Sequence, residues 1–521
     1  MPSPTISAAA VLEPLRLNGQ PLTIADIESV ARGGRQVELG PIARQRMEAS
    51  RAVVDARCGG GEAIYGINTG FGSLSRVRIP TDDVRSVQRN LVRSHAAGVG
   101  EPLPNDAVRA MMTVAAASLA RGHSGVRPTV VETICSFLNH QVTPTVPSRG
   151  SVGASGDLAP LAHMALSLIG EGFASLAGRM MPTSIYTTQR AMVPLTLEAK
   201  EGLALINGTH FMSSSAALLL ADLDRIQQAA LVAAAMAIDA CRATDAFLDS
   251  RLHTVRCQPG QILVAERLRG LLAGSQILPA HKENDPRVQD PYCLRAMPQV
   301  LGAAFDAIAF VRGAIERELG AVTDNPLVFP PSEKATDGSG DLLSGGNFHG
   351  MPLAIPLDTL AIALTHIAGI AERRVNWVLT ASDPQNPVPA YLSPQPGLHS
   401  GLMIAQYTAA ACVNEMMTLA APASIGNIPT SAGIEDYNSM GATAVLKAIR
   451  SLERLRNVVA IELLTMTEAM EYQRPLKSGA GVERAIAIVR EVVPKLTADR
   501  PPSPDIAAIE RQIAAGRFGM A

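Results

Sequence analysis

Aromatic residues are scarce in this 521-residue chain: ten Phe, seven Tyr and one Trp, 3% in all. Charge is nearly balanced, 45 Lys+Arg against 47 Asp+Glu, and only Lys200, Lys282, Lys334, Lys447, Lys477 and Lys495 are lysine. Without a basic run, no surface for nucleic-acid phosphates is expected. The six cysteines (Cys58, Cys135, Cys241, Cys257, Cys293, Cys412) form no C-x-x-C and no paired spacing. They exclude a disulfide frame and a zinc site and read as reduced thiols of a cytoplasmic protein. Residues 1–20 lack the basic region and apolar run of a secretory signal. The best candidate for a membrane span, 211–240, is broken by Asp222, Asp224, Arg225, Gln227 and Gln228, short of the ~20 unbroken apolar residues a span needs. No membrane association is expected.

Familiar catalytic signatures are missing too. There is no G-x-S-x-G elbow and no H-E-x-x-H, and the ten histidines show no ligand-like pairing, so no metal is expected. The run Tyr65-Gly66-Ile67-Asn68-Thr69-Gly70-Phe71-Gly72 lacks the G-K-[ST] ending of a phosphate loop, so no nucleotide is expected either.

What is present is apolar, Ala-rich and helical: 47% of residues are hydrophobic, enough for a large core. Segments 211–244, 296–322, 353–379, 401–419 and 440–472 carry helical spacing. In the last, Leu446, Ile449, Leu452, Leu455, Val459 and Leu463 recur at three- and four-residue steps. Stretches of about 25–30 residues exceed the usual ~11–12 and predict an elongated bundle. Residues 51–156 are glycine-punctuated and predict turns more than long helices, apart from helical spacing over 106–118 and 128–140. The expected fold is mainly α: a long-helix bundle over 207–521 and a smaller glycine-rich, loop-rich region over 1–206.

Within that smaller region, Val152-Gly153-Ala154-Ser155-Gly156-Asp157-Leu158-Ala159-Pro160-Leu161-Ala162-His163 places a serine between small residues just before a helix start at Asp157. Alone it reads as a helix N-cap turn. Its flanks, however, resemble the cofactor-forming segment of the aromatic amino-acid lyase family, which includes histidine, phenylalanine and tyrosine ammonia-lyases and related aminomutases. The resemblance runs over roughly 22–494. It takes in Ile64 to Gly72, Ser94-His95-Ala96-Ala97-Gly98-Val99-Gly100, Leu205-Ile206-Asn207-Gly208-Thr209 and Gln289-Asp290-Pro291-Tyr292-Cys293-Leu294-Arg295. Thr323-Asp324-Asn325-Pro326-Leu327-Val328-Phe329 and Gly345-Gly346-Asn347-Phe348-His349-Gly350 follow in the family's order.

The resemblance implies that Ala154-Ser155-Gly156 cyclises with loss of two waters to 4-methylidene-imidazol-5-one (MIO), an electrophile met by the amine of the substrate or by its ring. The residue types suit this. Gly156 has no Cβ to hinder its amide nitrogen, Ser155 supplies the methylidene carbon, and Ala154 is small. By the same resemblance Tyr65 is the base for a weakly acidic β-hydrogen, and Arg295 clamps the substrate carboxylate bidentately. Asn207 and Tyr292 match positions touching cofactor and substrate, while Gln289 and Phe348 match pocket walls. A homotetramer with shared active sites around a common helical core is also implied.

Substrate choice rests on Ser94-His95 and Glu435. A histidine hydrogen-bonds an imidazole or phenol, but phenylalanine would leave it unpaired at a cost of ~1–3 kcal/mol. Histidine lyases have a carboxylate at the position of Glu435, suited to an imidazole. The expected activity is elimination of ammonia from L-histidine, giving trans-urocanate, or from a related aromatic amino acid. A tyrosine or phenylalanine ammonia-lyase, an aminomutase, and a non-catalytic scaffold of the same fold are the alternatives. The chain departs from the histidine-lyase pattern at Gly433-Ile434, Tyr437-Asn438, His210-Phe211-Met212, Gly320, His399 and Leu402.

Overall fold

Ala and Leu, the strongest helix formers, crowd the second half of the chain, and its backbone is helical almost throughout. The computed structural model describes residues 12–58, 64, 66–70, 78–283, 285–331 and 340–519. Among these are nineteen α-helices and four small sheets of two or three strands, a mainly α fold as expected. The five long segments are His210–Ala240, Met297–Glu318, Met351–Thr380, Met403–Leu419 and Gly441–Glu471. His210–Ala240 has no exposed residue along its length: Asp222, Asp224, Arg225, Gln227 and Gln228 are half-buried and the others buried. In Gly441–Glu471, Leu452, Leu455, Val459 and Leu463 are buried, and Leu446 and Ile449 are half-buried.

Among the described residues, the helices long and apolar enough to cross a membrane by length and composition are Met297–Glu318 and Met351–Thr380, not 211–240. In the second of these, 67% of the most apolar window is buried inside the protein, as in a core helix.

The chain divides into two units. The first comprises the described residues up to Leu218 with those of Gly313–Ile355 and Ala423–Val445. It opens with a parallel strand pair, Leu15–Leu17 beside Val37–Leu39, with Leu15 opposite Val37. Helix Ile24–Ala31 between them starts at a capping box in which Thr23 and Asp26 satisfy each other's backbone amides. Helices Asn105–Leu119 and Pro128–Asn139 match the predicted spacing, the second with proline in its first turn. Helix Pro41–Cys58 runs into sequence that reads as turns from residue 51 on, and helix Val84–His95 lies wholly within it. The second buries only Val84, Gln88, Leu91 and Val92 and sets Arg85, Arg89 and Arg93 outward, so its apolar stripe is thin.

The second unit comprises Leu219–Arg312, Pro356–Pro422 and the described residues after Val445. Its core contains an ion pair between two long helices. Arg374 Nε lies 2.5 Å from Glu462 Oε1, and both side chains are almost fully buried.

Candidate active site

Ala154, Ser155 and Gly156 form a loop between a short strand, Pro147–Arg149, and helix Leu158–Leu168, and three other segments grip its backbone. Gly153 carbonyl accepts from the amide of Gly350 (3.2 Å) and the hydroxyl of Ser439 (2.9 Å). Val152 carbonyl accepts from the Met440 amide at 2.9 Å. On the other side Gly156 bridges Gly208, and the Asp157 amide donates to the Gly208 carbonyl at 2.7 Å. This last approach requires glycine. Gly156 has φ +76°, and a Cβ there would lie 2.1 Å from the Gly208 oxygen.

Asp157 locks the loop to the long helix. Its Oδ2 accepts from the amides of Phe211 and Met212, both at 3.0 Å, and its Oδ1 from Ser151 Oγ at 2.9 Å. Helix His210–Ala240 thus has two of its free N-terminal amides satisfied by a side chain 54 and 55 residues earlier. Complete burial pushes the carboxyl up to about 7, against the pull of these three donors. A raised folded pKa stabilises the fold at low pH, and that contribution is lost as pH rises through about 7. Asp157→Asn, which keeps an acceptor but cannot ionise, is therefore expected to flatten the decline of Tm between about pH 4 and 7 relative to the native chain. An unchanged profile would refute this.

The Ser155 hydroxyl donates to Glu435 Oε1 at 2.8 Å, and Thr430 Oγ1 donates to Oε2 at the same distance. Glu435 sits in a tight loop where Ser431, Ala432 and Gly433 all have positive φ, which suits the glycine among the departures. His95 ends helix Val84–His95, with Nδ1 2.9 Å from the Leu91 carbonyl and 3.1 Å from Ser94 Oγ. A carbonyl only accepts, so Nδ1 carries the proton and Nε2 is left as an acceptor. Burial holds this imidazole below its usual pKa, while the Leu91 carbonyl and the charge of Glu435 pull the other way. The motif after His95 is tied to the same region, because the Gly98 amide donates to His163 on helix Leu158–Leu168 at 3.1 Å.

Asn207 ends the short helix Glu201–Ile206, and its Nδ2 faces the Asn325 carbonyl at 3.2 Å and Asp324 Oδ1 at 3.5 Å. Phe348 is half-buried in the turn before helix Met351–Thr380, two residues from the Gly350 amide that holds Gly153. Unit 1 therefore gathers Ala154, Ser155, Gly156, Glu435, His95, Ser94, Asn207 and Phe348 around one loop system. Tyr65 lies outside the described residues.

The remaining predicted residues form a cluster of their own in unit 2. Arg295 donates from Nη2 to Gln289 Oε1 at 2.7 Å and from Nε to the Asp290 carbonyl at 2.9 Å. Its guanidinium lies 4.6 Å from the centre of the Tyr292 ring, a cation–π contact. Asp290 is anchored in turn by Thr244. Tyr292 is 73% exposed. A cavity of about 730 Å³ in this unit, bordered by Thr244, Asp249, Arg269, Ser275, His281 and Lys282, is lined by none of the predicted residues.

Several departures have local reasons. Gly320 has φ +78°, a conformation that glycine and asparagine share more readily than other residues. Asn438 is buried, donating from Nδ2 to the Ile428 carbonyl, and the Tyr437 carbonyl faces His349 Nε2 at 2.9 Å. His210 is fully buried against Thr323 Oγ1, and burial lowers its pKa to about 4, so it is neutral. Lys200 was not singled out by sequence reasoning. It is wholly buried and pairs with Asp324. Its rarity in a chain of six lysines, five residues before the Leu205-Ile206-Asn207-Gly208-Thr209 motif, is the signal that could have found it.

This loop system, with its Ala-Ser-Gly segment and facing carboxylate, defines a class. The sequence model described as "Aromatic amino acid lyase" matches residues 22–491, and the chain belongs to that family. It is 47% identical over 503 residues to histidine ammonia-lyase of Sorangium cellulosum, covering 96% of this chain and 97% of that protein. Among solved structures it is similar to histidine ammonia-lyase from Trypanosoma cruzi (TM-score 0.88, 37% identity, 97% and 94% of the two chains). It is also similar to tyrosine aminomutase from Streptomyces globisporus (TM-score 0.90, 33% identity, 97% of each chain).

Proposed function

We propose that this protein is an ammonia-lyase converting L-histidine to trans-urocanate and ammonia, with MIO formed from its own Ala154-Ser155-Gly156. One observation carries the choice of histidine: His95 Nε2 and the Glu435 carboxylate are two hydrogen-bond acceptors in one loop system, the second directly on Ser155. An imidazole ring carries N–H groups on opposite edges when protonated, whereas a phenol has a single O–H and a phenyl ring none. The full-length likeness to the histidine ammonia-lyase of Sorangium cellulosum supports the same reading.

The residues present fit the cofactor, because the close approach of Gly156 to Gly208 admits no side chain and Ala154 is small and buried. Once formed, MIO supplies an electrophilic carbon that makes the α-amino group a better leaving group. The chain's own side chains do the rest. Arg295 holds the substrate carboxylate, its guanidinium pre-oriented by Gln289 and the Asp290 carbonyl. Tyr65 takes the β-proton, Tyr292 and Asn207 border the amino group, and Phe348 packs on the ring. His95 and Glu435 hold the imidazole, with Ser94 Oγ beside His95 Nδ1.

We also propose a cytoplasmic homotetramer with active sites shared between subunits. Its six cysteines are all free, as the cytoplasm keeps them. Ile362, Ile404, Tyr407 and Met417 are exposed on long helices, and Tyr292 is left uncovered, as expected of surfaces that a second copy buries.

The test is a substrate panel followed by ultraviolet absorbance of the conjugated acid. Histidine is expected to be turned over best, and a clear preference for tyrosine would overturn the reading. In that case the likeness to the Streptomyces globisporus aminomutase would favour a tyrosine enzyme, separated as lyase or mutase by whether a β-amino acid accumulates. Glu435→Gln is expected to lower kcat/KM for histidine by roughly 10–100-fold, the worth of a hydrogen bond to a charged group, and for tyrosine by less than about threefold. Equal losses would remove the role given to this carboxylate.

A further inference from the structure

The short helix Glu201–Ile206 is flanked by two residues, Lys200 and Asn207, that both reach Asp324. At its start Lys200 Nζ donates to Asp324 Oδ2 at 2.6 Å, with side chains 0% and 2% exposed. At its end Asn207 Nδ2 meets the Asn325 carbonyl and Asp324 Oδ1. Between the two, Asp324 Oδ1 accepts from the Asn325 amide at 2.6 Å, and Asn325 Oδ1 from the Gly345 amide at 2.7 Å. A continuous polar chain therefore runs from Lys200 through Asp324 and Asn325 to Asn207.

Two features of Lys200 are costly. A dry ion pair loses the hydration of both charges, and that loss commonly cancels its attraction. Lys200 also has φ +75°, a left-handed conformation that is strained for a non-glycine residue. Fold stability alone does not call for this arrangement, since apolar residues of similar volume would fill the space without desolvation.

The arrangement does determine the orientation of Asn207. Both groups facing its Nδ2 are acceptors, a carbonyl and a carboxylate. Turning the amide over would set oxygen against oxygen, so the NH2 points to the clamp and Oδ1 points away. That Oδ1 is buried and has no partner among the described residues. An unpaired buried acceptor is costly unless a ligand donor meets it. We propose that the Lys200–Asp324 pair is a positioning device that holds the Asn207 amide with Oδ1 presented as an acceptor for an N–H group of the bound amino acid. This rests on the proposed lyase reaction.

The test is a mutant cycle on the full-length enzyme, with histidine as substrate. The pair is replaced together, Lys200→Met with Asp324→Leu, so that no lone charge is left buried and residue 324 offers Asn207 no acceptor, and the replacement is combined with Asn207→Ala. Asn207→Ala is expected to lower kcat by about 100-fold and the paired replacement by at least about 10-fold. The triple variant should be no more than about threefold worse than Asn207→Ala alone, because the pair acts only through that amide. Lys200→Met with Asp324→Ala is a second arm with the same direction and no lone charge, in case the first paired variant fails to fold. Melting temperature and the two-water mass deficit at Ser155 are read alongside, and a purely structural role would change the first while leaving the kinetic effects multiplicative. The proposal is overturned if both replacements keep kcat within about threefold of the native enzyme, or if the effects multiply. A native enzyme that turns over no histidine would instead overturn the functional reading, whereas an Asn207→Ala variant with kcat within about threefold of the native enzyme would overturn the proposal, since the pair acts only through that amide.

Discussion

Ser155→Ala is expected to lower histidine turnover by at least about 10³-fold while the protein remains folded, the scale on which loss of a covalent catalyst registers. The hydroxyl it removes donates to Glu435 Oε1 from a half-buried position, and the loop's backbone contacts run instead through Val152, Gly153, Gly156 and Asp157. An alanine leaves those contacts in place, and Glu435 still accepts from Thr430. Tm should therefore shift by little. The chemistry has no substitute, because no other atom in the loop becomes the methylidene carbon. Mass spectrometry of the peptide containing residue 155 gives the decisive readout. The native peptide should be lighter by two waters, and the variant peptide should have its unmodified mass. A native peptide of full mass, or a variant that retains activity, would end the MIO reading.

The largest effect on stability is expected at Arg374. Its guanidinium reaches Glu462 through Nε (2.5 Å) and Nη2 (3.1 Å) in the core of unit 2, where neither side chain meets solvent. Burial already pushes the Glu462 carboxyl above its usual pKa, and Arg374 pulls it back. Arg374→Met alone leaves that carboxyl buried without its cation, and a loss of about 3–5 kcal/mol is expected, read as a lower denaturant midpoint. The sign with pH follows. With the cation gone, the folded pKa rises further, so the variant should recover part of its stability at acid pH, where Glu462 is protonated. Adding Glu462→Leu should restore most of the loss, since an apolar pair needs no desolvation. If the single and double variants were equally unstable, packing of the arginine stem and not charge would be the cause.

The long helices were legible because their sequences keep helical apolar spacing over many turns. The spacing of Leu452, Leu455, Val459 and Leu463 survives as buried positions, and the ends fall within a few residues of the expected segments. Val84–His95 was not legible. Its buried side is four residues wide in sequence that glycines surround, and only contact with the rest of unit 1 makes it a helix. That matters for function, since this helix presents His95 and uses its own Leu91 carbonyl to set the tautomer. Asp157 read as a helix start for Leu158–Leu168, yet its carboxylate accepts from the amides of Phe211 and Met212. No local pattern reports a partner more than fifty residues away.

By itself, the sequence determined the class of protein. The absence of basic runs, of paired cysteines and of catalytic signatures cleared the field, and Ala154-Ser155-Gly156 with its ordered companion motifs named the family. These are covalent and local properties: which atoms the loop contains, and which faces are apolar. The tertiary structure decided which groups meet. It set Glu435 against Ser155, turned His95 to offer a lone pair, spent a buried Lys200–Asp324 pair beside Asn207, and gathered Gln289 and Tyr292 around Arg295. Hydrogen bonds form only within about 3 Å and at restricted angles, so those pairings depend on how distant segments pack.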